Sequence, residues 1–170
     1  MAVKIAFLGL GKMGGLMTKH LVAAGYDVTG YDPVAKAMSA AKKNGAKTAK
    51  TPSSAAKGAD VVCSSLPHPA AVRDAYLGSG GVLKILRRGN VVFELSTSSV
   101  DLAREIAVTA KKKGVSFLDA PVSGSIPHLE KNRSQPSWGA TARPSKNIKA
   151  FSRPSVNPSP TWVPRATASL

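Results

Sequence analysis

The chain has 170 residues, enough for one domain with a substantial core, and 43% of them are hydrophobic. The single cysteine, Cys63, excludes a disulfide-built scaffold and predicts a reduced, cytoplasmic protein, and no segment reads as a signal peptide or a membrane span. A net charge of +15 predicts a soluble basic surface that attracts anions, and no basic–aromatic repeat accompanies it that would point to nucleic acid.

Val3 to Leu8 is short, apolar and rich in strand formers, so it predicts a strand. Gly9-Leu10-Gly11-Lys12-Met13-Gly14 follows, and then Met13, Leu16, Met17, Leu21 and Ala24 repeat at helical spacing. A G-x-G-x-x-G between a strand and a helix is the context a dinucleotide fingerprint requires. Gly9 serves the tight turn, Gly11 lets a pyrophosphate approach the backbone, and Gly14 lets the helix lie close to the sheet. The helix N-terminus then offers N–H groups and a partial positive charge to phosphate.

A second strand, Asp27 to Tyr31, leads to Asp32, 18 residues beyond Gly14. An acid roughly 20 residues on accepts hydrogen bonds from the adenosine ribose and repels the extra phosphate of NADP. The reading is therefore NAD, with NADP as the alternative. Asp32 also reads as a cap for a helix opened by Pro33 and stopped by Gly45.

Ala46 to Ala49 predicts a short strand, and Thr51 and Pro52 start a short helix that ends near Gly58. Asp60 to Leu66 is apolar enough for a central parallel strand. Pro67 and Pro69 stop its pairing, and a helix follows through about Leu77. Gly78 to Gly81 reads as a loop, Asn90 to Leu95 as a strand, and Ser96 to Ser99 as a polar turn capping a helix over 100–113. Leu102, Ile106 and Ala110 mark that helix's buried stripe, and Lys111, Lys112 and Lys113 suit its C-terminal dipole. Val115 to Asp119 is the next strand, leading into Ala120-Pro121-Val122-Ser123-Gly124.

Strands alternating with helices predict an α/β fold. The expected form is a doubly wound, Rossmann-like, mostly parallel sheet with helices on both faces and its ligand at the carboxyl ends of the strands. This domain is expected over residues 1–125. Residues 126–170 hold 7 of the 12 prolines with 7 basic and 1 acidic side chains, and they read as an unstructured basic tail.

Four stretches together resemble the β-hydroxyacid dehydrogenase family, the group that includes 3-hydroxyisobutyrate and 6-phosphogluconate dehydrogenases. They are Phe7 to Gly14, Leu66-Pro67, Glu94-Leu95-Ser96-Thr97 and Asp119 to Gly124. The resemblance covers about residues 3–130. It implies that Leu66 and Thr97 line the nicotinamide side, with Pro67 also at the cofactor, and that Ser123 and Gly124 hold a substrate carboxylate. It further implies a small β-hydroxyacid as substrate and an oligomer as the family's assembly. Taken alone, Thr97 also reads as a helix cap and Ser123 as a turn residue.

The family's general acid/base lysine stands in a G-x-x-x-K-x-x-N setting. Lys131, Lys146 and Lys149 stand among prolines and serines without that setting, so no catalytic role is carried to any residue. The change of composition after Glu130 reads as a truncated or frame-shifted continuation, with the family's helical domain absent. The chain then reads as the cofactor-binding part of such an oxidoreductase, catalytically incomplete. The alternatives are a non-catalytic dinucleotide-binding module and a basic-tail nucleic-acid binder. A metal site is not expected.

Overall fold

A computed structural model describes residues 2–123 and 135–136. The chain begins in the middle of its sheet. β1 (Lys4–Leu8) is buried from Ile5 onward on both faces, as a near-continuous apolar run predicts. α1 (Lys12–Ala23) turns the chain back to β2 (Asp27–Tyr31), α2 (Ala35–Lys43) leads to β3 (Lys47–Thr48), and α3 (Pro52–Ala56) crosses to β4 (Val61–Ser64) on the other side of β1. α4 (Pro69–Leu77) and a 3-10 turn (Val82–Lys84) precede β5 (Val91–Glu94), and α5 (Val100–Lys112) precedes β6 (Ser116–Asp119).

The six strands lie in the order β3-β2-β1-β4-β5-β6, and every pairing is parallel. This is the doubly wound sheet expected. Its strand order reverses between β1 and β4, and a ligand crevice opens at such a switch point.

Alternation along β1 divides the core. Ile5 and Phe7 face Met17 and Leu21 of α1 and Val28 of β2, with Cys63 and Phe93 on the same side. Ala6 and Leu8 face the opposite cluster of Val62, Val72, Tyr76, Val92, Ile106 and Phe117. The Tyr76 and Phe117 rings meet edge to face, with centroids 6.2 Å apart. α4 and α5 are clamped outside by Arg73, whose guanidinium donates to both oxygens of Glu105. Burial pushes the Cys63 thiol up to about 12, so this unpaired cysteine is a core side chain and not a reactive one.

Local structure departs from the sequence reading in three places. α2 begins at Ala35, not at Pro33, because Asp32 Oδ1 accepts the Val34 N–H at 2.8 Å and closes a turn first. The 3-10 turn at Val82–Lys84 carried no signal of its own. Each strand after β2 is also one to three residues shorter than its apolar run. Thr51 and Ser54 form the capping box of α3, with Pro52 at its first position.

β7 (Val122–Ser123) and β8 (Gln135–Pro136) pair antiparallel as a separate two-stranded ribbon. Gln135–Pro136 falls within the stretch expected to be unstructured. The rest of that expectation, like Gly124, lies outside the described residues.

The stripe on α5 gives a stability test. Ile106 is fully buried between sheet and helix, whereas Val108 is 55% exposed. Ile106→Ala is expected to cost about 2–5 kcal/mol in urea unfolding, and Val108→Ala no more than about 0.5 kcal/mol.

Candidate functional site

The carboxyl ends of β1, β2 and β4 are tied to one another. Gly9 N–H donates to Tyr31 C=O at 2.9 Å, and Ser65 N–H donates to Leu8 C=O at 2.9 Å. Gly9 has φ +86°, and a Cβ there would lie 2.2 Å from the Ser65 carbonyl oxygen. A Cβ on Gly14 would lie 1.9 Å from the Gly9 carbonyl oxygen. These two glycines let strand, turn and helix approach one another. Gly11 differs, since a Cβ there would meet nothing within 4 Å and would project into open space. Gly11 is also the N-cap of α1 and offers no side-chain cap. The first-turn N–H groups of α1 therefore have no partner within the helix and face a gap left clear for an incoming anion.

Asp32, half-buried at the end of β2, binds the turn as well as the start of the next segment. Its Oδ2 accepts the Leu10 N–H at 2.7 Å while its Oδ1 accepts that of Val34. Leu10 contributes only this N–H, because its side chain is buried against Gly30 in the core. Gly9, Gly11, Lys12, Met13, Gly14, Asp32, Leu66 and Pro67 line one cavity of about 780 Å³. That volume is within the range of small-molecule and cofactor pockets.

Thr51, Pro52, His68, Ala71, Ser79 and Gly80 line it too and were not singled out from the sequence. The available signal was Pro52 and Pro69, each opening a helix at the same edge of the sheet. His68 caps α4 through Nδ1, which accepts the Ala71 N–H at 3.1 Å. Thr97 is exposed beyond β5 and outside this lining, and the cap of α5 is Ser99, whose hydroxyl accepts the Leu102 N–H at 3.3 Å. Ser123 lies in β7, and Gly124 lies outside the described residues. Among the described residues, no group of three or more His, Cys, Asp or Glu side chains is placed to hold a metal, and no helix is long and apolar enough to cross a membrane.

Beneath the Leu66-Pro67 wall, Glu94 is 1% exposed. Its Oε2 accepts from Ser64 Oγ at 2.5 Å, and its Oε1 accepts the Ser96 N–H at 2.7 Å. Burial raises its pKa above the ordinary 4.5, Ser64 and Ser96 pull it back in part, and Asp119 on the neighbouring strand pushes it up again. Burial raises Asp119 as well.

The family of the NAD binding domain of 6-phosphogluconate dehydrogenase matches residues 4–144. The chain belongs to that family. The match runs past Glu130, where the resemblance read from the sequence ended. The chain is 41% identical over 121 residues to an NAD-dependent L-serine dehydrogenase of Pseudomonas aeruginosa, covering 71% of this chain and 41% of that one. It is similar to the solved structure of Mycobacterium tuberculosis 3-hydroxyisobutyrate dehydrogenase with L-serine, with 41% identity and a TM-score of 0.70 over 75% of this chain and 43% of that one. A Myxococcus stipitatus imine reductase variant in complex with NAD+ is 26% identical, with a TM-score of 0.65 over 75% and 43%. The chain spans about two fifths of the length of the curated relatives it matches, from 37% to 42% in the first three. Family and geometry agree on an NAD(P)-type cofactor, which the open gap at Gly11 and the lined cavity fit.

Two tests separate the glycines and the buried acid. Gly11→Ala is expected to cost about 1 kcal/mol or less in thermal unfolding, the range for a cap change, yet to weaken NAD binding in calorimetry. Gly14→Ala is expected to lower the melting temperature, since its Cβ meets backbone. For Glu94, a raised pKa means that the stability tied to its neutral form is complete below the ordinary 4.5 and is lost as pH rises through the raised value. Asp119, facing it from β6, carries the same sign. In urea midpoints measured across pH, Glu94→Gln is expected to lose the Glu94 part of that decline and to keep the Asp119 part.

Proposed function

We propose that this chain is the cofactor-binding part of an oxidoreductase that acts on the CH–OH group of a small β-hydroxyacid and prefers NAD to NADP. The observation that carries the cofactor preference is the Asp32 carboxylate, fixed at the cavity by two backbone N–H groups and facing the same space as the glycine turn. In this reading the turn from Gly9 to Gly14 and the N-terminus of α1 receive the pyrophosphate. Asp32 accepts from the adenosine ribose hydroxyls, and its charge opposes a 2′-phosphate. Leu66, Pro67 and Thr97 border the nicotinamide half, and Ser123 and Gly124 take the substrate carboxylate. When bound, the cofactor supplies the hydride acceptor. The substrate class follows from relatives named for 3-hydroxyisobutyrate and L-serine. We place the domain boundary near residue 125.

The chain's residues bind and orient. None of its lysines stands in the G-x-x-x-K-x-x-N setting of the family's proton-transfer group. The purified 170-residue chain is therefore expected to bind NAD but to oxidise 3-hydroxyisobutyrate or L-serine at least about 10²-fold more slowly than a full-length relative, the low end for losing general acid/base catalysis. Turnover at the relative's rate would overturn this.

Asp32→Ala is expected to weaken NAD binding by about 1–3 kcal/mol and to bring the NAD and NADP affinities together. The ratio is the deciding measurement, because loosening of the Leu10 and Val34 N–H groups would weaken both cofactors alike. A parent chain with equal affinity for both, and a ratio unmoved by the substitution, would remove Asp32 from the ribose.

A further inference from the structure

Tyr76, Ser64, Glu94, Ser96 and the Leu66 backbone form one buried chain of hydrogen bonds. Tyr76 Oη lies 2.5 Å from Ser64 Oγ, which donates to Glu94 Oε2 and so accepts from the phenol. The other oxygen of the carboxylate accepts the N–H of Ser96 at 2.7 Å. Ser96 Oγ in turn accepts the Leu66 N–H at 2.7 Å. Ser64, Tyr76 and Glu94 are at most 1% exposed, and Ser96 is 5% exposed. Only the Leu66 end lines the cavity.

The position of that end is what makes the chain of bonds consequential. The ladder between β1 and β4 finishes with the Ser65 N–H on Leu8 C=O, so Leu66 lies one residue beyond it. Pro67 has no N–H to give. The Leu66 N–H is therefore the one backbone donor by which the Leu66-Pro67 wall can be anchored, and Ser96 is its acceptor. A buried carboxylate is costly, and an apolar side chain would fill its space at lower cost. What an apolar side chain could not do is accept the Ser96 N–H and so hold the residue whose hydroxyl accepts from Leu66.

We propose that Glu94 is a positioning residue for the nicotinamide side of the cleft: by orienting Ser96 it fixes the Leu66 N–H, and with it the Leu66-Pro67 wall. Glu94 does not touch the cofactor. The proposal rests on the reading above that puts the nicotinamide half against that wall and the adenosine half at Asp32.

The test compares two ligands on the full chain by titration calorimetry. NAD uses both halves of the cleft, and ADP-ribose carries the adenosine diphosphate part without the nicotinamide. Ser96→Ala and Glu94→Ala are expected to raise the dissociation constant of NAD about tenfold, the scale of one lost hydrogen bond, and that of ADP-ribose less than about twofold. Glu94→Gln keeps the shape and an acceptor towards Ser96, and is expected to restore NAD binding to within about threefold of the parent. Native near-UV circular dichroism qualifies each variant. Should Glu94→Ala fail to fold, Ser96→Ala removes a single oxygen and decides the matter. NAD binding unchanged in folded variants, or both ligands weakened by one common factor, overturns the proposal while leaving the cofactor reading intact. A parent chain that binds neither ligand overturns the cofactor reading and this proposal with it.

Discussion

The site depends on two approaches that leave no room for a Cβ. Gly14 lies against the Gly9 carbonyl, and Gly9 lies against that of Ser65. Together they bring the start of α1 and the ends of β1 and β4 into backbone contact, with the Gly9 N–H on Tyr31 adding β2. Three strand ends and a helix N-terminus thereby meet at the point where the strand order reverses. The crevice at a switch point is a consequence of topology, but its depth is set locally. A side chain at Gly14 would separate α1 from the turn and move the helix N-terminus away from the strand ends. Asp32 completes the arrangement by holding Leu10 and Val34 N–H groups with one carboxylate.

A second constraint lies under the same edge. Ser64 and Glu94 are register partners on β4 and β5, so their side chains point to the same face, and Tyr76 of α4 closes over them. A carboxylate there must be fully bonded, because an unpaired buried acceptor costs far more than a satisfied one returns. It is bonded, at both oxygens, by groups from β4 and from the turn after β5. Burial nonetheless raises its pKa, with Asp119 on the next strand adding to the effect. The network thus strains the domain electrostatically while fixing the turn that borders the cleft.

The fold was legible because its signals are periodic. β1 and β4 are apolar runs too short for helices, and α5 carries its buried stripe at Leu102, Ile106 and Ala110. The glycine turn was legible because Gly9 and Gly14 stand where the backbone leaves no room for a Cβ. The start of α2 was misread, since Pro33 is a good first helical residue and Asp32 was read as the helix cap, although Asp-Pro is also a turn signal and Asp32 closes a turn onto Val34 before the helix begins. Glu94 was visible only as part of a matching stretch. An acid at the end of an apolar strand gives no sign of burial when its partners Ser64 and Tyr76 lie 30 and 18 residues away. Leu10 as a core side chain was hidden for the same reason, whereas His68 caps through the local Ala71 N–H and was missed because histidine is not a favoured capping residue. For Ser123 and Gly124 the sequence offers a motif, and the described residues add only that Ser123 opens a two-residue pairing with Gln135–Pro136.

The glycine turn of the cleft is built from backbone. In the proposed reading, N–H groups at a helix start meet the phosphate, closeness comes from missing side chains, and one wall is held by a single N–H. A site of that kind recognises what dinucleotides share. Proteins named for L-serine, for 3-hydroxyisobutyrate and for imine reduction each resemble this chain over 71–75% of its length. Substrate choice and proton transfer need side chains placed against the reacting carbon, and function has to be argued from those. In the proposed readings, the side chains that bear on the cofactor are Asp32 at one end of the cleft and, acting through Ser96, Glu94 at the other. Both are acids that accept backbone N–H groups, Asp32 from the turn after β1 and Glu94 from the turn after β5.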